Sequence, residues 1–133
     1  MRVVHLCRHA KAAPGDPDEL RALTRKGIDQ AHALGRRLSA APDRPAVVLT
    51  SPLVRARQTA EILAEETGAE LRIEPLLAPG ATVAELRRAV ADVAGAVAAV
   101  GHQPDCSEIA IALTGRDPGF PPGGDLRLEL SPE

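Results

Sequence analysis

Apolar residues occur along this chain in two patterns: short continuous runs, and longer stretches in which they return every three or four positions. The runs Arg2–Cys7 (RVVHLC), Ala46–Thr50 (AVVLT) and Ala96–Val100 read as buried strands, with Leu71–Ile73 a shorter one. Leu126–Leu130 alternates apolar with polar, as an edge strand does. The helical pattern opens at Thr24, an N-cap residue type, and continues to about Ser39 with the stripe Ile28, Ala31, Leu34, Gly35 and Leu38. Pro42 and Pro45 end it. Ser51 is a second cap residue with Pro52 at the first helical position, and the helix it predicts runs to Thr67, before Gly68. Thr82 predicts a helix over VAELRRAVAD. Another follows Gly101-His102-Gln103-Pro104 and reaches about Leu113, before Gly115. Ala12–Leu20 (AAPGDPDEL) has loop composition.

Strands alternating with helices at this spacing build βαβ units, hence a mostly parallel sheet covered on both faces, a three-layer α/β/α arrangement. With 133 residues and neither repeat nor low-complexity tail, one domain over 1–133 is expected. Ligands of such sheets bind beyond the carboxyl ends of the strands. Arg8-His9, Ser51-Pro52 and Gly101-His102 each follow a strand, so all three are expected on one rim.

Composition adjusts this picture only in places. The chain has one Phe and neither Tyr nor Trp within 44% apolar residues, so its core must be aliphatic. Net charge is −2 with acids and bases interspersed, which argues against nucleic acid as a partner. Two distant cysteines, Cys7 and Cys106, do not make a disulfide framework and suit a reducing compartment. No secretory leader is evident and no apolar run reaches the ~18 residues of a membrane span. A cytoplasmic protein is the expectation, with no membrane partner.

The stretch His5-Leu6-Cys7-Arg8-His9 carries the candidate chemistry. His5, Cys7 and His9 alternate onto one strand face, the spacing of a metal site, but no carboxylate or cysteine cluster completes a set. A thiol phosphatase would need a glycine-rich loop closed by arginine. Counting on from Cys7 gives Arg8, His9, Ala10, Lys11, Ala12 and Ala13, so Cys7 reads as a small buried hydrophobe. The third option is a nucleophilic imidazole, able to form a covalent phospho-enzyme if cations surround the phosphoryl oxygens. For Arg8 and His9 to reach one phosphate, the strand must break near Cys7.

Leu6-Cys7-Arg8-His9-Ala10 resembles the Arg-His-Gly/Ala signature of the histidine phosphatase superfamily, which includes phosphoglycerate mutases. Leu23-Thr24-Arg25-Lys26-Gly27 is similar to its Leu-Thr-x-x-Gly segment. Ser51–Thr59 (SPLVRARQT) is similar to Ser-Pro-x-x-Arg-Ala-x-Gln-Thr, and Gly101-His102 to its Gly/Ser-His. The small size and the RHAK form of the first motif resemble the SixA-type phosphohistidine phosphatases. The resemblance implies a phosphoglycerate mutase-like fold without a cap insertion. It also implies that His9 becomes phosphorylated while Arg8, Arg55 and His102 form the phosphate pocket; Lys11 is a further candidate for substrate contact. No metal or organic cofactor is implied, since the arginines supply the charge.

One departure concerns the general acid. Mutase-like members carry a glutamate shortly after the third strand, and here the corresponding position holds Leu76. Glu74, Asp16, Asp18 and Glu19 are the remaining candidates. Expelling an alkoxide calls for a placed proton donor, worth ~10²–10⁴-fold. An imidazole leaving group, whose conjugate acid has a pKa near ~6.5, does not. The expected activity is therefore a phosphatase acting on phosphohistidine carried by a protein, such as a histidine-phosphotransfer domain, with the enzyme a monomer. Two alternatives are a small-molecule phosphomonoesterase and a non-catalytic phosphate- or phosphoprotein-binding module.

Overall fold

The computed structural model describes residues 1–131 of the chain, so the last two residues of the expected 1–133 domain lie outside it. In order, the elements are β1 (Arg2–Arg8), α1 (Arg25–Ala40), β2 (Val47–Thr50), α2 (Val54–Thr67), β3 (Glu70–Ile73), α3 (Val83–Val90), β4 (Val97–Gly101), α4 (Asp105–Thr114) and β5 (Asp125–Leu130). Short 3-10 turns lie at Asp18–Leu20 and Pro75–Leu77. One five-stranded sheet has the order β3-β2-β4-β1-β5, with β5 the only antiparallel member among the described residues.

Alternation along the central strands sends side chains to opposite faces. Val4, Leu6, Val47, Leu49, Val97 and Ala99 face one way, where they pack with Leu86 and Val90 of α3 and Ile109 and Ala110 of α4. Cys7, Val48, Ala98 and Val100 face the other, against Leu34 and Leu38 of α1 and Ala56, Ala60 and Leu63 of α2. Both faces are thus covered, as the continuous apolar runs require, and burying each leucine contributes about 1.5–3 kcal/mol. Between β3 and β4 there is room only for the 75–77 turn and α3, and no cap domain is inserted.

Local signals set the helix ends. Thr24 Oγ1 accepts from Gly27 N at 3.0 Å, the expected N-cap of α1. Gly68 and Gly115, at φ 76° and 80°, close α2 and α4 in the left-handed conformation. Gly27 is required for space, because a Cβ there would lie 2.0 Å from the Lys11 carbonyl oxygen.

Three expectations need correction. Ile28 is exposed, and Gly27 lies on the buried face of α1 in its place. The third helix stops at Val90, two residues short of Asp92. Ser51 does not cap α2, which begins at Val54 with Leu53 in the cap position. Among the described residues no helix is long and apolar enough to cross a membrane.

Register places the site. Thr50 pairs with Val100, which pairs with Cys7, and Arg8 pairs with Gly101. β1, β2 and β4 therefore finish almost level, and Ser51, His102 and His9 emerge side by side.

Candidate active site

β1 continues through Arg8, one residue further than expected, and the break comes immediately afterwards. His9 N donates to the Gly101 carbonyl at 3.1 Å, and its own carbonyl accepts from Gly123 N at 3.1 Å. The backbone at His9 is thus held between β4 and the loop leading into β5. On its far side Ala10 N donates to Thr59 Oγ1 at 3.0 Å.

The half-buried His9 ring is fixed by a hydrogen bond between Nδ1 and the Ala10 carbonyl oxygen, 2.7 Å. A carbonyl only accepts, so Nδ1 carries the proton and the lone pair sits on Nε2. Burial pushes the pKa of His9 down from 6.5 to about 4; the Ala10 carbonyl opposes that shift, and the Arg55, Arg8 and Arg21 cations reinforce it. At neutral pH the ring is uncharged, with Nε2 available as a nucleophile.

His102 lies beside it, with ring centroids 5.2 Å apart and planes tilted by 58°. It is 3% exposed, and its pKa is likewise lowered to about 4, by burial first and then by His9 and Arg55. Its Nε2 is 2.6 Å from Ser51 Oγ, while its buried Nδ1 has no partner among the described residues.

The two arginines come from different elements. Arg8 Nη1 donates to the Phe120 carbonyl at 2.8 Å, and Arg8 Nε is buried without a partner among the described residues. Arg55, in the first turn of α2, is 7% exposed. Its Nη1 and Nη2 donate to Asp18, to the carbonyl at 2.9 Å and the carboxylate at 3.1 Å. One turn on, Thr59 Oγ1 donates to the Arg55 carbonyl at 2.8 Å, so a single hydroxyl couples the His9–Ala10 loop to α2. Gln58 accepts from Leu23 N at 2.8 Å and Gln30 from Lys11 N at 2.9 Å, closing the same loop.

The other expected residues fall elsewhere. Lys11 is exposed, and among the described residues no contact ties its ammonium to the site. Glu74 caps the 75–77 turn, accepting from Leu76 N at 3.0 Å. Leu76 packs against the core. Asp16 and Glu19 are exposed. Asp18 alone reaches the site, and its hydrogen bonds with Arg21 and then Arg55 hold its carboxyl below the usual range, as an acceptor. His5 Nε2 lies 2.9 Å from the Asp43 carbonyl, inside the α1 face, and does not converge with His9. Among the described residues no group of three His, Cys, Asp or Glu side chains could hold a metal ion. Burial drives the Cys7 thiol well up and that of Cys106 to about 12, so neither is a thiolate nucleophile.

Sequence reasoning missed Ser51 as a partner of His102, and it missed the Phe120 carbonyl as the anchor of Arg8. Ser51 had a signal, its place in SPLVRARQT, which was read as a helix cap. The Phe120 carbonyl had none, because any residue there would present one.

Residues 4–79 match the model of the histidine phosphatase superfamily (branch 1). An uncharacterised protein of Picosynechococcus sp. is 43% identical over 98 residues, which is 70% of this chain and 59% of that protein, so the matched stretch spans less than two thirds of its relative. A protein of Agrobacterium tumefaciens, provisionally named phosphohistidine phosphatase SixA, superposes with a TM-score of 0.81 at 28% identity, covering 96% of this chain and 90% of that one. A counterpart from Nakamurella, under the same provisional name, gives 0.72 at 30% identity, covering 92% and 80%. By the family match, and with Arg8, His9, Arg55 and His102 gathered on one rim, the chain belongs to the histidine phosphatase superfamily and has its phosphoglycerate mutase-like fold.

Proposed function

We propose that this chain hydrolyses phosphohistidine carried by another protein, through a phospho-His9 intermediate. One observation carries the reading: the His9 ring, bare at Nε2, lies 5.2 Å from the His102 ring, and among the described residues His102 Nδ1 and Arg8 Nε are buried nitrogens without partners. Buried polar groups are left unsatisfied at a cost of about 1–3 kcal/mol each, and a tetrahedral oxyanion would satisfy both.

In this reading His9 Nε2 attacks phosphorus in line as the bond from phosphorus to the substrate imidazole breaks. The substrate ring, already protonated on its other nitrogen, keeps the electron pair of the broken bond and departs as neutral imidazole. Arg8 and Arg55 clamp the equatorial oxygens, where charge builds in the transition state. Water then attacks phospho-His9, releasing inorganic phosphate and restoring the neutral ring. Lys11, exposed on the same loop, is free to meet the incoming protein.

The preference for a P–N bond rests on the absence of a proton donor. Leu76 occupies the expected acid position, Glu74 is committed to a turn, and Asp18 is held ionised. An alkoxide would leave poorly from such a site, whereas neutral imidazole leaves readily. The uncapped rim suits a side chain presented on a protein surface, and the names of the two SixA-type structures agree with it.

The test compares a phosphorylated histidine-phosphotransfer domain with a panel of sugar and glycerol phosphates. The proposal expects kcat/KM at least ~10²-fold higher for the phosphoprotein, the low end of what a missing general acid costs. Faster turnover of the small esters would select the phosphomonoesterase reading. Binding of the phosphoprotein without release of phosphate would select the non-catalytic one.

A further inference from the structure

The histidine at the end of β4 has one nitrogen committed and one open, and the proton inventory around it has a single economical solution. Ser51 is fully buried, and its Oγ accepts from Leu53 N at 3.3 Å. The hydroxyl's own proton has one acceptor in reach among the described residues, His102 Nε2 at 2.6 Å. If Nε2 instead carried a proton and donated to Ser51, the serine proton would have no acceptor, and Nδ1 would be a buried lone pair with no donor. That arrangement leaves two unsatisfied groups, each costing about 1–3 kcal/mol, whereas the alternative leaves one.

We infer that Ser51 is a positioning residue that donates to His102 Nε2 and so fixes His102 as the neutral Nδ1–H tautomer, with that N–H reserved for an oxyanion beside His9. The inference deepens the phosphatase reading, on which its catalytic half rests. His102 then serves as a neutral hydrogen-bond donor, and the positive charge at the oxyanion comes from Arg8 and Arg55. The division makes electrostatic sense, because an imidazolium would face Arg55 and the His9 ring in a water-poor site. A preset N–H needs no reorganisation when charge develops on the phosphoryl oxygens.

The test is nitrogen-15 NMR of the histidine side chains of the full chain at neutral pH, on wild type and Ser51→Ala. The wild type should show His102 protonated at Nδ1 and bare at Nε2. In Ser51→Ala the tautomer should shift toward Nε2–H, with kcat on the phosphoprotein falling ~10–10²-fold, part of what loss of a whole oxyanion donor costs. Ser51→Thr, which keeps the hydroxyl, should keep the wild-type tautomer. A wild-type His102 that is Nε2–H or doubly protonated at neutral pH would overturn the inference, and this reading stands even if Ser51→Ala fails to fold. An unshifted tautomer in a folded Ser51→Ala would overturn it as well. A wild type inert toward every phosphorylated substrate would strike the phosphatase reading alone, since the tautomer is read without turnover.

Discussion

The two ends of β1 carry the same residue types and put them to different uses. At its start, Arg2 borders a cleft of about 790 Å³ lined by Val90, Val93, Gly95 and Leu130. Its guanidinium is given to the Val93 and Gly95 carbonyls. At the other end Arg8 keeps a buried Nε unpartnered among the described residues. His5 and His9 repeat the contrast: His5 Nε2 is engaged by Asp43, while His9 Nε2 is bare. That cleft is therefore not where chemistry is expected. Hydrogen-bonding capacity left unspent inside the protein marks the site, because folding alone gives no reason to leave it so.

The contrast breaks most easily at the histidines. His9→Ala should reduce phosphatase activity to background in a steady-state assay. His5→Ala should keep kcat/KM within about 2-fold and instead lose about 1–3 kcal/mol of stability in denaturant unfolding, the cost of a buried hydrogen bond.

The arginines come next. Arg8→Ala should lower kcat/KM ~10²–10³-fold, the scale for one oxyanion donor, whereas Arg2→Ala should leave kinetics unchanged and lower the melting temperature. Comparable kinetic losses from both would remove the distinction between the two ends.

A third expectation concerns pH. His9 and His102 both fall from 6.5 to about 4 in the folded chain, mainly by burial. Between these values the unfolded chain binds protons that the folded one does not, so stability falls with decreasing pH across that window. The neutral rings are present above it. The acid limb of kcat/KM should accordingly lie nearer 4 than 6.5, a macroscopic property of two adjacent rings. A limb at 6.5 would mean that the site does not hold them neutral.

The smallest effect is assigned to Asp18. Its carboxylate occupies Arg55 and competes with the substrate for it. Asp18→Asn should lower KM for phosphorylated substrates by about 2–5-fold, the range of a screened, exposed ion pair. A raised KM would mean that this carboxylate helps to bind substrate.

The sequence made the rim legible because the apolar runs mark strand ends and His9, Arg55 and His102 lie just past them. Thr24 was legible for the same local reason, since an N-cap depends on neighbours three residues away. Ile28 was not: periodicity shows which face of a helix is apolar, but not that the first turn of α1 meets the Lys11 backbone at Gly27 and leaves Ile28 exposed. Ser51 was misread because α2 begins only at Val54, and it takes the pairing of β2 with β4 to bring the Ser51 hydroxyl to His102. Arg55 was correctly placed in the site, yet its clasp by the Asp18 backbone carbonyl depends on the path of an irregular loop, which residue types do not encode.

The most direct test is rapid quenching of the wild-type enzyme with a phosphohistidine protein carrying labelled phosphoryl, followed by mapping of the enzyme-bound label. The account predicts an acid-labile, base-stable label on His9, bonded through Nε2 and absent from His9→Ala. Label on Cys7, or undiminished turnover by His9→Ala, would contradict it.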